Sequence, residues 1–364
     1  MPDEKGLSEQ MALSKKAKTI LLIVGIVVLA FIAGGSVLSY LLTPKLITAN
    51  GFAMSTYINQ QIYMNDSRKA DALASDMMTE LAVFEDRLSM YRAQSEISSI
   101  NDNAGVAPVA VSEETYALIK KAIGYCEQSD GMFDITIAPV TKAWGINSDA
   151  PRVPSQEELQ ALKELVNYRD VLLDDTARTV MLKKSGQAID LGAVAKGEAC
   201  NIAHTLYAKR GTPAGLISIG GNIMVMGKKP GGKDFVVGVR DPRGAPNEVI
   251  ATVRLTDEVL STSGDYERFF KQGGKSYHHI MDPSTASPAE TDLMSVTVIC
   301  EDGMYADFLS TWLFMLGKGG ALARFDDLNA GVVAVDKEKN VYVSPRLADA
   351  LTPALNKGYT FHIG

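Results

Sequence analysis

Four short segments of this 364-residue chain carry residues whose types and spacing could do chemistry. In "ADFLSTW", Asp307 and Thr311 stand four positions apart, so on a helix they share one face, one turn apart. A carboxylate and a hydroxyl converging in this way suit a hard divalent cation such as Mg²⁺, which keeps waters and is completed by substrate phosphates. The same pair also arises as a solvated face or a local hydrogen bond. In "IDLGAVAKGEA", Asp190 stands just before a helical run, where a short carboxylate caps free N–H groups. Gly192 lets a ligand approach the backbone. Lys196 follows on the helix, and a helix start with glycine and lysine can cradle a diphosphate, because its N–H groups and positive dipole end attract anions. The plainer alternative is a cap and an exposed lysine. The pattern is not a Walker A loop, which needs GxxxxGK followed by Ser or Thr.

The third segment, "ISIGGNIMVMG", has Gly220 and Gly221 interrupting a strand, which fits either a bulge or a ligand pressed against the backbone. The fourth, "YHHIMDPSTASP", places two of the chain's four histidines side by side. An imidazole titrates near neutrality when unperturbed, so His279 could take a proton from a nucleophile or contact a phosphate. A purely structural histidine is the competing reading.

The elements that must position these groups can be read from periodicity. "SRKADALASDMMTELAVFEDRLSMY" sets Leu73, Met77, Leu81, Phe84 and Leu88 at spacings of three and four, the stripe of an amphipathic helix. Ser155 and Glu158 form a capping-box pattern ahead of Leu159, Leu162 and Leu165. "LGAVAKGEACNIAHTLYAKRG" is helical in period and stops at Gly211. "AGLISI", "FVVGVR" and "MSVTVIC" read as strands, and "YADFLSTWLFMLG" as a helix closed by Gly317. The mixture predicts a single α+β domain over residues 50–364.

Ahead of that domain, residues 20–42 carry no charge, and about 20 apolar residues suffice to cross a hydrocarbon layer. Lys15, Lys16 and Lys18 precede the run and only Lys45 follows closely. The positive-inside bias therefore predicts residues 1–19 in the cytoplasm, a single-pass anchor at 20–42, and an exported domain. A cleaved signal peptide usually has a shorter apolar core. A net charge of -7 argues against a nucleic-acid surface. Cys126, Cys200 and Cys300 are too few and too far apart for a disulfide framework and read as buried apolar residues.

Taken together, "MSTYINQQIY", "LSMYRAQSEISSIN", "SDGMFDITIAPVTKAWG", "IDLGAVAKGEA", "ISIGGN", "STSGDYERFF", "HHIMDPSTASP" and "VTVICEDGMYADFLSTWLFMLG" follow the order seen in ApbE-like FAD:protein FMN transferases, which the chain resembles from about Met54 to beyond Gly317. The resemblance implies Mg²⁺-dependent cleavage of FAD, with FMN passed through its phosphate to a Ser or Thr of an acceptor protein and AMP released. It implies metal ligation by Asp307, Thr311 and the backbone carbonyl of Ala193. It implies FAD contacts near Met54, at Tyr91, at Met132, Phe133 and Asp134, and at Asp190, Lys196 and Met281, with His279 in the catalytic position. The implied acceptors are exported flavoproteins of respiratory or other electron-transfer complexes. The same site in a hydrolase would split FAD into FMN and AMP with water as nucleophile, and a non-catalytic module would bind the flavin and leave it intact.

Three positions depart from the family pattern. The usual Met-Gly-Thr reads Met54-Ser55-Thr56, the usual Thr-Gly-x-Pro reads Thr285-Ala286-Ser287-Pro288, and Asn222 stands where Asp is common. If the 285–288 loop needs a positive φ, Ala286 costs roughly 1 kcal/mol there.

Overall fold

The computed structural model describes residues 15–355 and 357–364, and the chain divides into two compact units, Met1–Lys45 and Leu46–Gly364. In the first, Lys15–Leu42 is a helix (α1), and its Lys16–Gly35 stretch is long and apolar enough to cross a membrane. The described part of this helix covers all of residues 20–42, the segment expected as an anchor. Of the N-terminal segment expected at 1–19, residues 1–14 lie outside the described residues.

The second unit is built on a nine-stranded sheet whose spatial order is its chain order: β1 (Lys45–Ala53), β2 (Thr56–Met64), β3 (Ala214–Ile219), β4 (Asn222–Gly227), β5 (Glu258–Gly264), β6 (Leu293–Cys300), β7 (Gly331–Asp336), β8 (Asn340–Val343) and β9 (Thr360–Ile363). From β2 to β8 the neighbours run antiparallel, and β9 joins β8 in parallel. The helices are α2 (Ser67–Leu88), α3 (Glu96–Asp102), α4 (Glu113–Gln128), α5 (Ala138–Trp144), α6 (Gln156–Lys163), α7 (Gly192–Lys209) and α8 (Gly303–Leu322).

Side chains alternate across a strand, and here the two faces bury different layers. Met224, Val259, Val298 and Val332 pack with the helices. Their neighbours Val225, Leu260, Ile299 and Val333 pack on a small sheet formed by Phe235–Arg240, Val249–Leu255 and Leu351–Pro353. Strand β6, covered on both sides, is buried along its whole length, which explains its nearly unbroken apolar sequence. The stripe Leu73, Met77, Leu81, Phe84 and Leu88 is buried on α2 as its spacing predicts, and all three cysteines are free and buried.

Two expectations need correction. Gly220 and Gly221 do not sit within a strand: Ile219 pairs with Asn222, and the glycines, at φ of 55° and 98°, form the two-residue hairpin turn between β3 and β4, where positive φ matches the twist of the strands. Gly317, at φ 70° and ψ 179°, closes the first helix of α8 as its position predicts, and a second short helix follows it to Leu322. Ser155 caps α6 through the Glu158 amide, but the Glu158 side chain pairs with Arg152 and so does not return the second bond of a capping box.

Candidate active site

Helices α7 and α8 cross on two glycines. A Cβ added to Gly197 would lie 2.0 Å from the Gly303 carbonyl oxygen and 2.8 Å from the Asp307 Cβ, and one added to Gly303 would lie 2.3 Å from the Gly197 carbonyl oxygen. Only at this approach can a side chain on α8 reach a backbone amide on α7. The Gly197 N–H donates to Asp307 Oδ2 at 2.9 Å, and Lys196 Nζ stands 3.9 Å from the same oxygen. In a regular helix the Gly197 amide belongs to the carbonyl of Ala193. The Ala193 carbonyl has two lone pairs, of which a helical bond uses one, so it keeps capacity for another partner.

Aromatic packing fixes α8 from behind. Phe308 stacks on Tyr125 of α4 at 4.6 Å and on Trp312 at 5.5 Å, and meets Phe133 edge to face at 5.1 Å. That contact also ties the 132–134 loop to the helix carrying Asp307.

The result is a cavity of about 420 Å³, walled by the turns at Ser55 and Gly220, the 132–134 loop, the start of α7, the end of β5, the His279–Met281 segment and α8. It is lined by every candidate residue named from the sequence except Met54: Tyr91, Met132, Phe133, Asp134, Asp190, Ala193, Lys196, His279, Met281, Asp307 and Thr311. Met54 sits in the β1–β2 turn at φ 52° with its N–H on Glu85 Oε2 at 2.8 Å, so that its neighbours Ser55 and Thr56 form the wall.

The eleven residues present themselves differently. Tyr91 is 67% exposed, so its ring is open to a ligand face and is not core. Asp134 has its carboxylate filled by the Thr136 N–H and hydroxyl and by the Tyr168 N–H. With Phe133 turned onto Phe308, this loop offers a ligand mainly backbone. Asp190 accepts from the Gly192 N–H at 2.8 Å, tying down the first turn of α7. Burial pushes the Asp190 carboxyl up, against the Gly192 bond and the positive charges of Lys196, Lys142 and Arg268.

The two adjacent histidines divide their labour. His278 is built into the fold, with Nε2 3.0 Å from the Ala289 carbonyl, Nδ1 accepting from the Ile280 N–H, and its ring edge-on to Phe314. His279 lines the cavity, and its Nδ1 is buried with no hydrogen-bond partner. Burial first, then Lys196, Arg268 and His278, push its pKa down to about 3, so the ring is neutral at physiological pH and able to take a proton. In the following turn, Ala286 is buried at φ 52°, and its carbonyl accepts from Trp144 Nε1 at 2.8 Å.

Among the described residues no three His, Cys, Asp or Glu gather as a metal cluster. A cation here would rest on one carboxylate, one hydroxyl and one carbonyl. That all-oxygen, sparsely charged donor set fits Mg²⁺ or Mn²⁺ completed by phosphates and water, and it does not fit Zn²⁺.

Sequence reading missed Ser261 and Ser263 on β5, whose hydroxyls meet Asp307 and Thr311, and Arg268, which lines the cavity. The signal for the serines was the alternation in "LSTSG", which puts two hydroxyls on one strand face.

Residues 54–335 match the model of the ApbE family. The chain belongs to the ApbE family. Within that family it is 33% identical over 309 residues to the FAD:protein FMN transferase of Klebsiella pneumoniae (strain 342), covering 84% of this chain and 94% of that one. It is 35% identical over 282 residues to the protein of the same name from Treponema pallidum (strain Nichols), covering 73% and 78%. Its fold matches the crystal structure of the ApbE protein of Thermotoga maritima with a TM-score of 0.77 at 34% identity, over 83% of this chain and 98% of that one. The flavin transferase ApbE of Vibrio cholerae superposes with a TM-score of 0.74 at 26% identity, over 83% and 97%.

Proposed function

We propose that this ApbE-family enzyme is a FAD:protein FMN transferase that passes FMN from FAD to a Ser or Thr hydroxyl of an acceptor protein, with AMP leaving and Mg²⁺ required. The observation that carries the reading is the convergence, on one cavity, of Asp307, Thr311 and Ala193 with Lys196 and a neutral His279.

Each group has a task the chemistry needs. Asp307, Thr311 and Ala193 would hold the cation, which when bound neutralises charge on the phosphoryl oxygens. Lys196 and the positive end of the α7 dipole hold the diphosphate. Tyr91 offers an aromatic face to a flavin or adenine ring, and Met132 and Met281 offer adaptable apolar contact, while the backbone of 132–134 fixes the flavin edge. His279 takes the proton of the acceptor hydroxyl as its oxygen bonds to the FMN phosphorus and the bond to the AMP oxygen breaks. Polar contacts placed where charge develops are the main lever on such a barrier.

The α1 stretch Lys16–Gly35 supports a single-pass anchor in the cytoplasmic membrane. The lysines before it support a cytoplasmic N-terminus and an exported domain, whose acceptors would be flavoproteins of respiratory or other electron-transfer complexes. The test is incubation of the detergent-solubilised chain with FAD, Mg²⁺ and a candidate acceptor. Expected is covalent flavin fluorescence on the denatured acceptor band, absent with His279→Ala or Asp307→Ala. Free FMN formed without any acceptor would mark a hydrolase instead, and intact FAD would mark a binding module.

A further inference from the structure

Strand β5 faces α8 with Ser261 and Ser263, two residues apart on one side, while Leu260 belongs to the opposite layer. Ser261 Oγ lies 2.9 Å from Asp307 Oδ1 and 3.2 Å from Asn222 Oδ1. Ser263 Oγ lies 3.0 Å from Thr311 Oγ1 and 2.9 Å from Ser310 Oγ. Ser261, Asn222, Asp307 and Ser310 are all buried.

Hydrogen counting orders the first rung. Ser261 has a single proton, and an ionised Asp307 can only accept, so that proton goes to Asp307. Asn222 Oδ1 then faces an oxygen with nothing left to give, while Asn222 Nδ2 is buried without a partner. Amide oxygen and nitrogen are assigned from such networks. Exchanging them lets Nδ2 donate to Ser261 Oγ, and the chain then runs Asn222 to Ser261 to Asp307.

We infer that Ser261 and Ser263 are positioning residues that aim Asp307 and Thr311 at the cation before it arrives, with Asn222 fixing the direction of the first hydrogen bond. The inference rests on the reading of Asp307 and Thr311 as cation ligands. Outer partners of this kind are worth roughly 10 to 100-fold in metal affinity, and with so few protein ligands here the orientation of each counts more.

The test is Mn²⁺ titration of the EDTA-stripped, detergent-solubilised full chain, followed by electron paramagnetic resonance, with ADP present as a diphosphate probe. Ser261→Ala and Ser263→Ala should weaken Mn²⁺ binding about 10-fold or more, and Ser261→Thr, which keeps the hydroxyl, should restore most of it. Melting of the metal-free protein is recorded alongside, because a structural role alone would lower that temperature and leave the Mn²⁺ affinity of the folded protein unchanged. Alanine variants within twofold of wild type in Mn²⁺ affinity overturn the inference while leaving the ligand assignment standing. A wild-type chain that binds no Mn²⁺ overturns both.

Discussion

Replacing Gly197 with alanine should damage this protein in a way its sequence position conceals. In an ordinary helix interior Gly→Ala stabilises by about 1 kcal/mol. Here the new Cβ would begin 2.0 Å from a backbone oxygen, and reaching an ordinary 3.4 Å contact requires α7 and α8 to part by about 1.4 Å. Overpacking of this kind costs about 3 kcal/mol at the upper end of its range. The net loss is therefore about 2 kcal/mol, or roughly 4 °C in melting temperature for a domain of this size. The same displacement stretches the 2.9 Å bond from Gly197 to Asp307 and carries the carboxylate away from Ala193 by several times the ~0.2 Å that a metal site tolerates. Mn²⁺ affinity should fall at least about 10-fold. Gly124 on α4 is the control, since nothing lies within 4 Å of its added Cβ, and Gly124→Ala should raise the melting temperature by about 2 °C. Differential scanning calorimetry and Mn²⁺ titration on the two variants decide the matter. A Gly197→Ala protein that melts at or above wild type and binds Mn²⁺ as tightly would refute the argument that the glycine contact sets the site.

Further consequences concern strain and protonation. Ser55 is exposed at φ 56°, so Ser55→Gly should stabilise by about 0.5 to 1 kcal/mol, the relief of left-handed strain less the entropy that glycine adds to the unfolded chain; a lowered midpoint in urea would contradict this. Ala286 has a similar φ of 52° but a fully buried methyl. Losing about 0.8 kcal/mol of burial offsets the relief, and Ala286→Gly should be close to neutral in the same assay. His279 is held neutral by the fold, with a pKa near 3 against an ordinary 6.5. The unfolded chain therefore binds the extra proton between those values, and this contribution is whole above pH 6.5 and fades as the pH falls toward 3. Wild type should lose about 2 to 3 kcal/mol at about pH 4.5 relative to a His279→Gln variant, at ~1.4 kcal/mol per pH unit. Parallel stability curves for the two proteins would rule that out.

The legible part of this fold was the part governed by periodicity and local chemistry. The α2 stripe, the largely apolar β6 and the start of α7 follow from residue pattern alone. The 220–221 glycines misled because a tight hairpin and a bulged strand share the same residues, and only the pairing of Ile219 with Asn222 tells them apart. Gly317 marks a helix end as its residue type suggests, but the short second helix that follows, with Ala321 in the core, has no local mark of its own. In the site, residue types pointed to Asp307, Thr311, Lys196 and His279. Nothing local could show that Gly197 and Gly303, over a hundred positions apart, are in contact. The same holds for the 132–134 loop, whose Phe133 and Asp134 spend their side chains on the fold.

That distribution explains how the cavity tolerates so many polar groups. Asp190 and Asp307 each accept a backbone N–H at the start of α7, and Asp307 also receives the Ser261 proton, so both carboxylates are satisfied before any ligand enters. Lys196 and Arg268 meanwhile act together on His279 and lower its affinity for a proton. A diphosphate placed beside them brings two negative charges and reverses that effect, because nearby opposite charge favours the protonated imidazole. His279 would then be a poor base in the empty cavity and a better one when the substrate is seated. Its pKa, followed by the imidazole carbon-bound proton resonances in NMR, should rise on addition of ADP. A pKa that stays put would mean that the phosphates lie elsewhere, and the assignment of this wall to the diphosphate would have to be given up.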